Sequence, residues 1–168
     1  DDHTRTLATE AVTAGALGTI SAERVCTELR LVLREPAWES LTLLSSWGVI
    51  ERLDPRLEAA FRPPLLLRLI DEACGTDPDR NARAWPLRLA ALARPLASDA
   101  AGWMRWLGFS ADIVGQVVEH HRVLDAALTR GDKLRTLRNS ELYVELGDVA
   151  PVALALVALA VADADPVL

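Results

Sequence analysis

Apolar and polar positions alternate with a helical period from Ser21 to Pro36. Val25, Leu29, Val32 and Leu33 fall at i, i+4, i+7 and i+8, which is one face of an α-helix. Ser21 is a good N-cap, since its hydroxyl can accept from a free backbone N–H of the first turn. Pro36 ends the segment, because its ring disfavours the helical region for Glu35. Arg24, Glu28 and Glu35 lie off the apolar face. Upstream, residues 1–14 show helical spacing with Leu7, Ala11 and Ala14 on one side, closed by Gly15 and Gly18. Downstream, a helix over 36–47 carries the stripe Leu41, Leu44 and Trp47 and stops at Gly48.

The rest of the chain continues in the same manner. Asp54-Pro55 opens a short helix ending near Phe61, and Pro63-Pro64 starts an apolar helix that Gly75 stops. Further helices are predicted over 86–94, 98–107, 111–130, 140–146 and 151–163, with Ser98 and Ser110 as two of the caps. No segment sustains a period of two with β-branched residues. The predicted fold is therefore all-α, a compact array of about eight to ten short helices without a sheet. The polar stretch from Thr76 to Arg80 marks a boundary between residues 1–75 and 76–168.

Composition supports a folded chain: 168 residues, 51% of them hydrophobic. The net charge of −6 is distributed unevenly. Every Lys and Arg precedes residue 139, while the tail carries Glu141, Glu145, Asp148, Asp163 and Asp165. A bulk basic footprint for nucleic acid is absent, so RNA contact requires local clustering of bases. The uncharged run from Val149 to Ala162 is too short for a membrane span and reads as a buried helix. Cys26 and Cys74 lack metal spacing, and Cys26 reads as a small buried hydrophobe. The start at Asp1 without methionine and the DADPVL end read as a fragment of a longer protein.

Candidate chemistry is sparse. His120 and His121 are adjacent, and neighbouring side chains on a helix point about 100° apart, which does not suit one metal. There is no His-Asp dipeptide for an HD-type phosphohydrolase, no Gly-x-Ser-x-Gly, no His-Glu-x-x-His and no Gly-rich phosphate loop. No catalytic residue and no metal ligand are assigned. Arg24 and Glu28 form at least a surface i, i+4 pair. The most basic stretch holds Arg130, Lys133, Arg135 and Arg138 against Asp132. It is either a solvated linker or a contact to RNA phosphates, with Arg80, Arg83, Arg88 and Arg94 as scattered additions to such a face. Trp38, Trp47, Trp103 and Trp106 sit at helical spacing among leucines and read as core, with stacking on unpaired bases the alternative. Tyr143, near the basic stretch, is placed to stack on or hydrogen-bond to RNA.

SAERVCTEL, then LREP, an apolar helix and WGVIERLDPRL resemble the region after the catalytic head in bacterial class II tRNA nucleotidyltransferases (CCA-adding enzymes) and poly(A) polymerases. The family pattern S-x-E-R-[IV]-x-x-E-L is met by Ser21, Glu23, Arg24, Val25, Glu28 and Leu29. Its later L-G-[VL]-[IL]-x-x-[LI]-x-P is met by Gly48, Val49, Ile50, Leu53 and Pro55, and Ser140-Glu141-Leu142-Tyr143 is similar to the S-E-[LI]-Y segment of the body. The resemblance implies a neck-like subdomain over 1–75 and a body-like subdomain over 76–168. It implies an RNA-binding region that positions tRNA, or other RNA, for 3′-end addition of CCA, A, C or poly(A) in the cytoplasm. The family's head carries a Gly-Ser sequence and paired aspartates that this chain lacks, so Mg²⁺ and ATP or CTP belong to that head, which becomes a partner. Arg24 and Glu28 would then brace the helix where it meets neck and head.

A competing reading is a stand-alone helical module that binds a protein through its apolar and acidic C-terminal face; a degenerate phosphohydrolase is the weakest. The RNA reading generates a specific expectation for the basic stretch. Replacing Lys133 and Arg135 by Ala in the parent enzyme should weaken tRNA binding and flatten the log–log salt slope by roughly one to two. The melting temperature should barely move, because exposed charges contribute little to stability. Unchanged affinity and salt slope would make the stretch a solvated loop.

Overall fold

The computed structural model describes residues 2–61 and 65–122. Among these residues every regular element is helical and no strand occurs, so the fold is all-α. The order is α1 (Asp2–Thr13), a 3₁₀ turn (Ala16–Thr19), α2 (Ala22–Arg34), α3 (Ala37–Ser46), α4 (Val49–Leu53), a 3₁₀ segment (Pro55–Phe61), α5 (Leu65–Cys74), α6 (Pro78–Ala93), a 3₁₀ segment (Arg94–Asp99) and α7 (Ala100–Leu107). Residues 111–122 are helical as well. The predicted helices at 140–146 and 151–163, and the Pro63-Pro64 start, lie outside the described residues.

Local chemistry sets the α2–α4 region. The Ser21 hydroxyl accepts from the Arg24 N–H at 3.3 Å and so opens α2. The predicted face is the one that packs, with Leu29 and Leu33 buried and Val25 and Val32 against the same core. Glu35 is extended before Pro36, as the ring demands. In α3, Leu41 is buried while Leu44 packs partly against the core. Gly48 has φ 76° and turns the chain from α3 into α4, a conformation that a side chain would strain. Asp54 accepts from the Arg56 N–H and opens the short helix expected there, which is 3₁₀ and ends at Phe61.

The first helix departs from expectation. Leu7 is 52% exposed and Ala11 and Ala14 are exposed too, so the predicted stripe covers nothing among the described residues. Ala8 and Val12, one step round the helix, are the positions that turn inward. The four-residue spacing was real, but α1 touches the body chiefly through its C-terminal end.

Helix α6 is the centre of the molecule. Every residue from Trp85 to Ala93 is buried, and α2 and α5 are its principal neighbours. It is also longer than predicted. The turn-rich stretch at Thr76–Arg80 contains its start: Asp77 accepts from the N–H groups of Asp79 and Arg80, and Pro78 occupies the first turn. Pro86, read as a start, is inside the helix. Ser98 does not cap α7 either; the N-cap is Asp99, without a side-chain bond. Gly108 and Phe109 close α7 by donating to Arg105 and Met104, a Schellman arrangement that seats Phe109 against Trp85.

One charge lies inside this core. Arg88 is fully buried on α6, and its Nε donates to Asp71 of α5 at 2.6 Å. Its other nitrogens donate to the Leu33 carbonyl at the end of α2 and to the carbonyl and side chain of Asn81. Asp71 also accepts from the Trp38 N–H at 2.7 Å, which caps α3. Asn81 in turn donates to Gly75 and Asp77, fixing the α5–α6 turn. Removing one member strands a buried charge, so Asp71→Ala should cost ~3–5 kcal/mol, read as a lower urea midpoint at unchanged slope. Asp71→Leu combined with Arg88→Met should recover most of that loss.

Candidate functional site

The residues expected to contact RNA separate into three groups. Arg130, Lys133, Arg135, Arg138 and Tyr143 lie outside the described residues. Arg80 and Arg83 are exposed, Arg80 already paired with Asp77, and Arg94 is half-buried. Arg88 is withdrawn from any RNA face, because its guanidinium is saturated by core partners. Its signal was present: Asn81, Trp85, Arg88 and Leu92 share one helical face, and all four are buried.

Arg24 and Glu28 do meet. Arg24 Nε donates to Glu28 Oε1 at 2.9 Å, with side chains 69% and 55% exposed. At that exposure the pair contributes about 0.3–0.5 kcal/mol. Arg30, a turn and a half further on, stands over the Trp85 ring at 5.3 Å and extends the Trp85–Phe109 stack to the surface.

Nucleophile and metal chemistry find little footing. Cys26 and Cys74 are free thiols, and burial pushes both above the ordinary thiol pKa, which suppresses the reactive thiolate. Among the described residues no group of three His, Cys, Asp or Glu is placed to hold a metal ion. No described helix is long and apolar enough to cross a membrane. His121 lies 2.7 Å through Nε2 from the Ala90 carbonyl and ties the 111–122 helix to α6. The neighbouring His120 has a buried Nδ1 without a partner among the described residues.

Two cavities adjoin along α1 and α4, the larger bordered also by α3 and the smaller by α2 and α7. The larger, about 620 Å³, is polar, lined by Thr13, Ser46, Trp47, Glu51 and Arg52 among others. Thr13 and Ser46 already donate to Thr9 and Leu43 carbonyls, so their hydroxyls offer lone pairs. Trp47 is the opposite: its buried Nε1–H has no acceptor among the described residues. Arg52 is exposed, and its guanidinium has no ion-pair or hydrogen-bond partner among the described residues. The smaller cavity, about 270 Å³, is apolar, with Leu17, Ile20, Val25, Leu53 and Trp106 in its lining. Val12 and Arg52 line both.

Trp106 corrects the reading of the tryptophans as core. It is 65% exposed, while Trp103, three residues earlier, is buried. Ala100, Trp103, Met104 and Leu107 fill the inner stripe of α7, and Trp106 falls off it. The arrangement thus combines an exposed indole with a guanidinium that has no partner among the described residues, which suits binding more than covalent chemistry. No family model, curated protein or solved structure matches the chain.

The histidine pair generates a pH expectation. Desolvation holds the His120 pKa below the ordinary value; His121 adds to this and Glu119 opposes it. The unfolded chain therefore takes up the proton first. Stability is full above an unfolded pKa of ~6.5 and is lost as pH falls through it, levelling off below the folded pKa. His120→Gln should flatten the urea midpoint between about pH 7 and pH 5 relative to wild type. Parallel pH profiles for the two proteins would show that His120 does not titrate differently on folding.

Proposed function

We propose that this chain is an RNA-binding helical region of a tRNA nucleotidyltransferase or poly(A) polymerase-like enzyme, holding tRNA or other RNA for 3′-end addition by a separate catalytic head. The observation that carries the reading is the placement of the motif residues. Ser21 caps α2 through the Arg24 N–H, Gly48 takes the left-handed turn into α4, and Asp54-Pro55 opens the next segment. The spacing of the motif therefore coincides with the points that set the chain's path from α2 to α4. Arg24 and Glu28 are on the outer face of α2, where a neighbouring head would meet them. Leu7 of α1 adds exposed apolar surface for the same partner.

Under this reading the chain contributes shape, phosphate contacts and stacking surface, and the head contributes Mg²⁺, ATP or CTP and the transfer step in the cytoplasm. The stand-alone protein-interaction module makes the contrary prediction of no RNA affinity. Binding of this chain to unmodified tRNA, followed by fluorescence anisotropy, should weaken as KCl is raised from 50 to 200 mM. The logarithm of the association constant should fall linearly with the logarithm of salt. Binding that is absent at tens of micromolar protein in low salt would overturn the RNA reading.

A further inference from the structure

We propose that the two adjoining cavities between α1, α4 and α7 take one unpaired nucleotide of an RNA strand, its base in the apolar cavity against Trp106 and its ribose-phosphate in the polar one at Arg52. The inference rests on the RNA reading above and assigns that reading a site away from the basic 130–138 stretch.

The argument is complementarity of two halves. A nucleotide joins a flat, largely apolar base to a polar ribose and an anion. The structure joins an apolar cavity of about 270 Å³ to a polar one of about 620 Å³, with Arg52 and Val12 lining both. Trp106 forms part of the apolar cavity while leaving 65% of its surface in solvent, an orientation that costs apolar exposure unless something covers the ring. Stacking by a base satisfies that surface without selecting a sequence.

The polar half is matched group by group. Arg52 lacks a partner among the described residues, and its guanidinium suits a phosphate. Trp47 contributes its ring to the wall of the same cavity. Thr13 and Ser46 have spent their protons on backbone carbonyls, and Glu51 only accepts when ionised. Those acceptors suit ribose hydroxyls, the 2′-OH included, and this distinguishes RNA from DNA. Glu51 repels a phosphate placed beside it, so the phosphate belongs at the Arg52 side and the sugar at the Glu51 side. A duplex hides its bases, and therefore does not fit.

The test uses this chain with a fluorescein-labelled single-stranded hexa-adenylate, its deoxy counterpart, a duplex RNA of equal length, AMP and intact tRNA. The single-stranded RNA should bind at least fivefold more tightly than the deoxy strand or the duplex. AMP should compete at higher concentration, and equal affinity of AMP and the strand would overturn a strand site in favour of a free-nucleotide pocket. Trp106→Ala should weaken strand binding about tenfold, the loss of one base stack, while Trp106→Phe restores most of it. Arg52→Gln should reduce the salt slope by about one ion. Both positions are exposed, so the far-ultraviolet spectrum and melting temperature should not move. A 4-thiouridine strand irradiated on the chain should crosslink within residues 9–55 or at Trp106. If tRNA binds but neither variant weakens it and crosslinks fall only in 130–138, this site is wrong and the RNA reading stands. If no RNA binds at all, both fall.

Discussion

The Arg88 guanidinium is the constraint around which the helices are arranged. A buried cation is tolerated only when its donors are satisfied by well-placed acceptors. Here Asp71, Asn81 and the Leu33 carbonyl supply them, and they come from α5, α6 and the end of α2. Asp71 is spent twice, since it also caps α3 at Trp38. One ion pair therefore fixes the relation of four helices. An apolar core of this size could slide, because leucine packing tolerates substitution and small shifts; a buried charge admits one register. Specificity is a better account of its presence than added stability, since buried pairs often break even against apolar replacements.

That constraint carries out to the surface. With α2 and α3 held by their ends, Gly48 can reverse the chain so that α4 lies beside α3 and its Ile50 is buried. The Glu51-Arg52 edge of α4 then faces the C-terminal end of α1, and the two cavities open along this line. On the other side, the Schellman closure of α7 pins Phe109 to Trp85 and fixes the rotation of α7. Trp103 and Leu107 go inward in that rotation, and Trp106 has nowhere to go but outward. Its exposure follows from the packing of its neighbours and is a fixed property of the fold.

Much of this was legible in the chain, and the failures have physical causes. The α2 face, its Ser21 cap, the Pro36 stop and the Gly48 turn were readable because each depends on residues within one or two turns. The start of α6 was misjudged because Asp77 and Pro78 signal a turn and a helix start alike; only the packing of Asn81 against Gly75 decides between them. Arg88 was half-legible: the face it shares with Asn81, Trp85 and Leu92 marked it as inward, while its counter-ion Asp71 lies across a turn and leaves no local signal. Leu7, Ala11 and Ala14 share one side of α1 as their spacing indicates, but that side is exposed, since alanine has little apolar surface to bury. Trp106 was within reach: the Ala100, Trp103, Met104, Leu107 stripe already excluded it from the core.

The same contrast separates the two kinds of candidate RNA contact. A cluster such as 130–138 is conspicuous in sequence because its charges are adjacent, and adjacency in sequence concentrates charge without specifying a pocket. The groups around Arg52 are inconspicuous, coming from α1, α3, α4 and α7, and become a site only once Gly48 and the α7 closure bring them together. Charge that attracts a strand and a pocket that holds one nucleotide are different tasks. The first tolerates a mobile, solvated segment, since counterion release needs only proximity. The second needs a rigid wall, because a stacked base gains only as much as the ring beneath it stays put. Trp106 is on a helix whose rotation is set by four buried neighbours, and Arg52 is two residues from the buried Ile50. The proposed site therefore depends on rigidity supplied by the packing around Ile50 and by the inner stripe of α7.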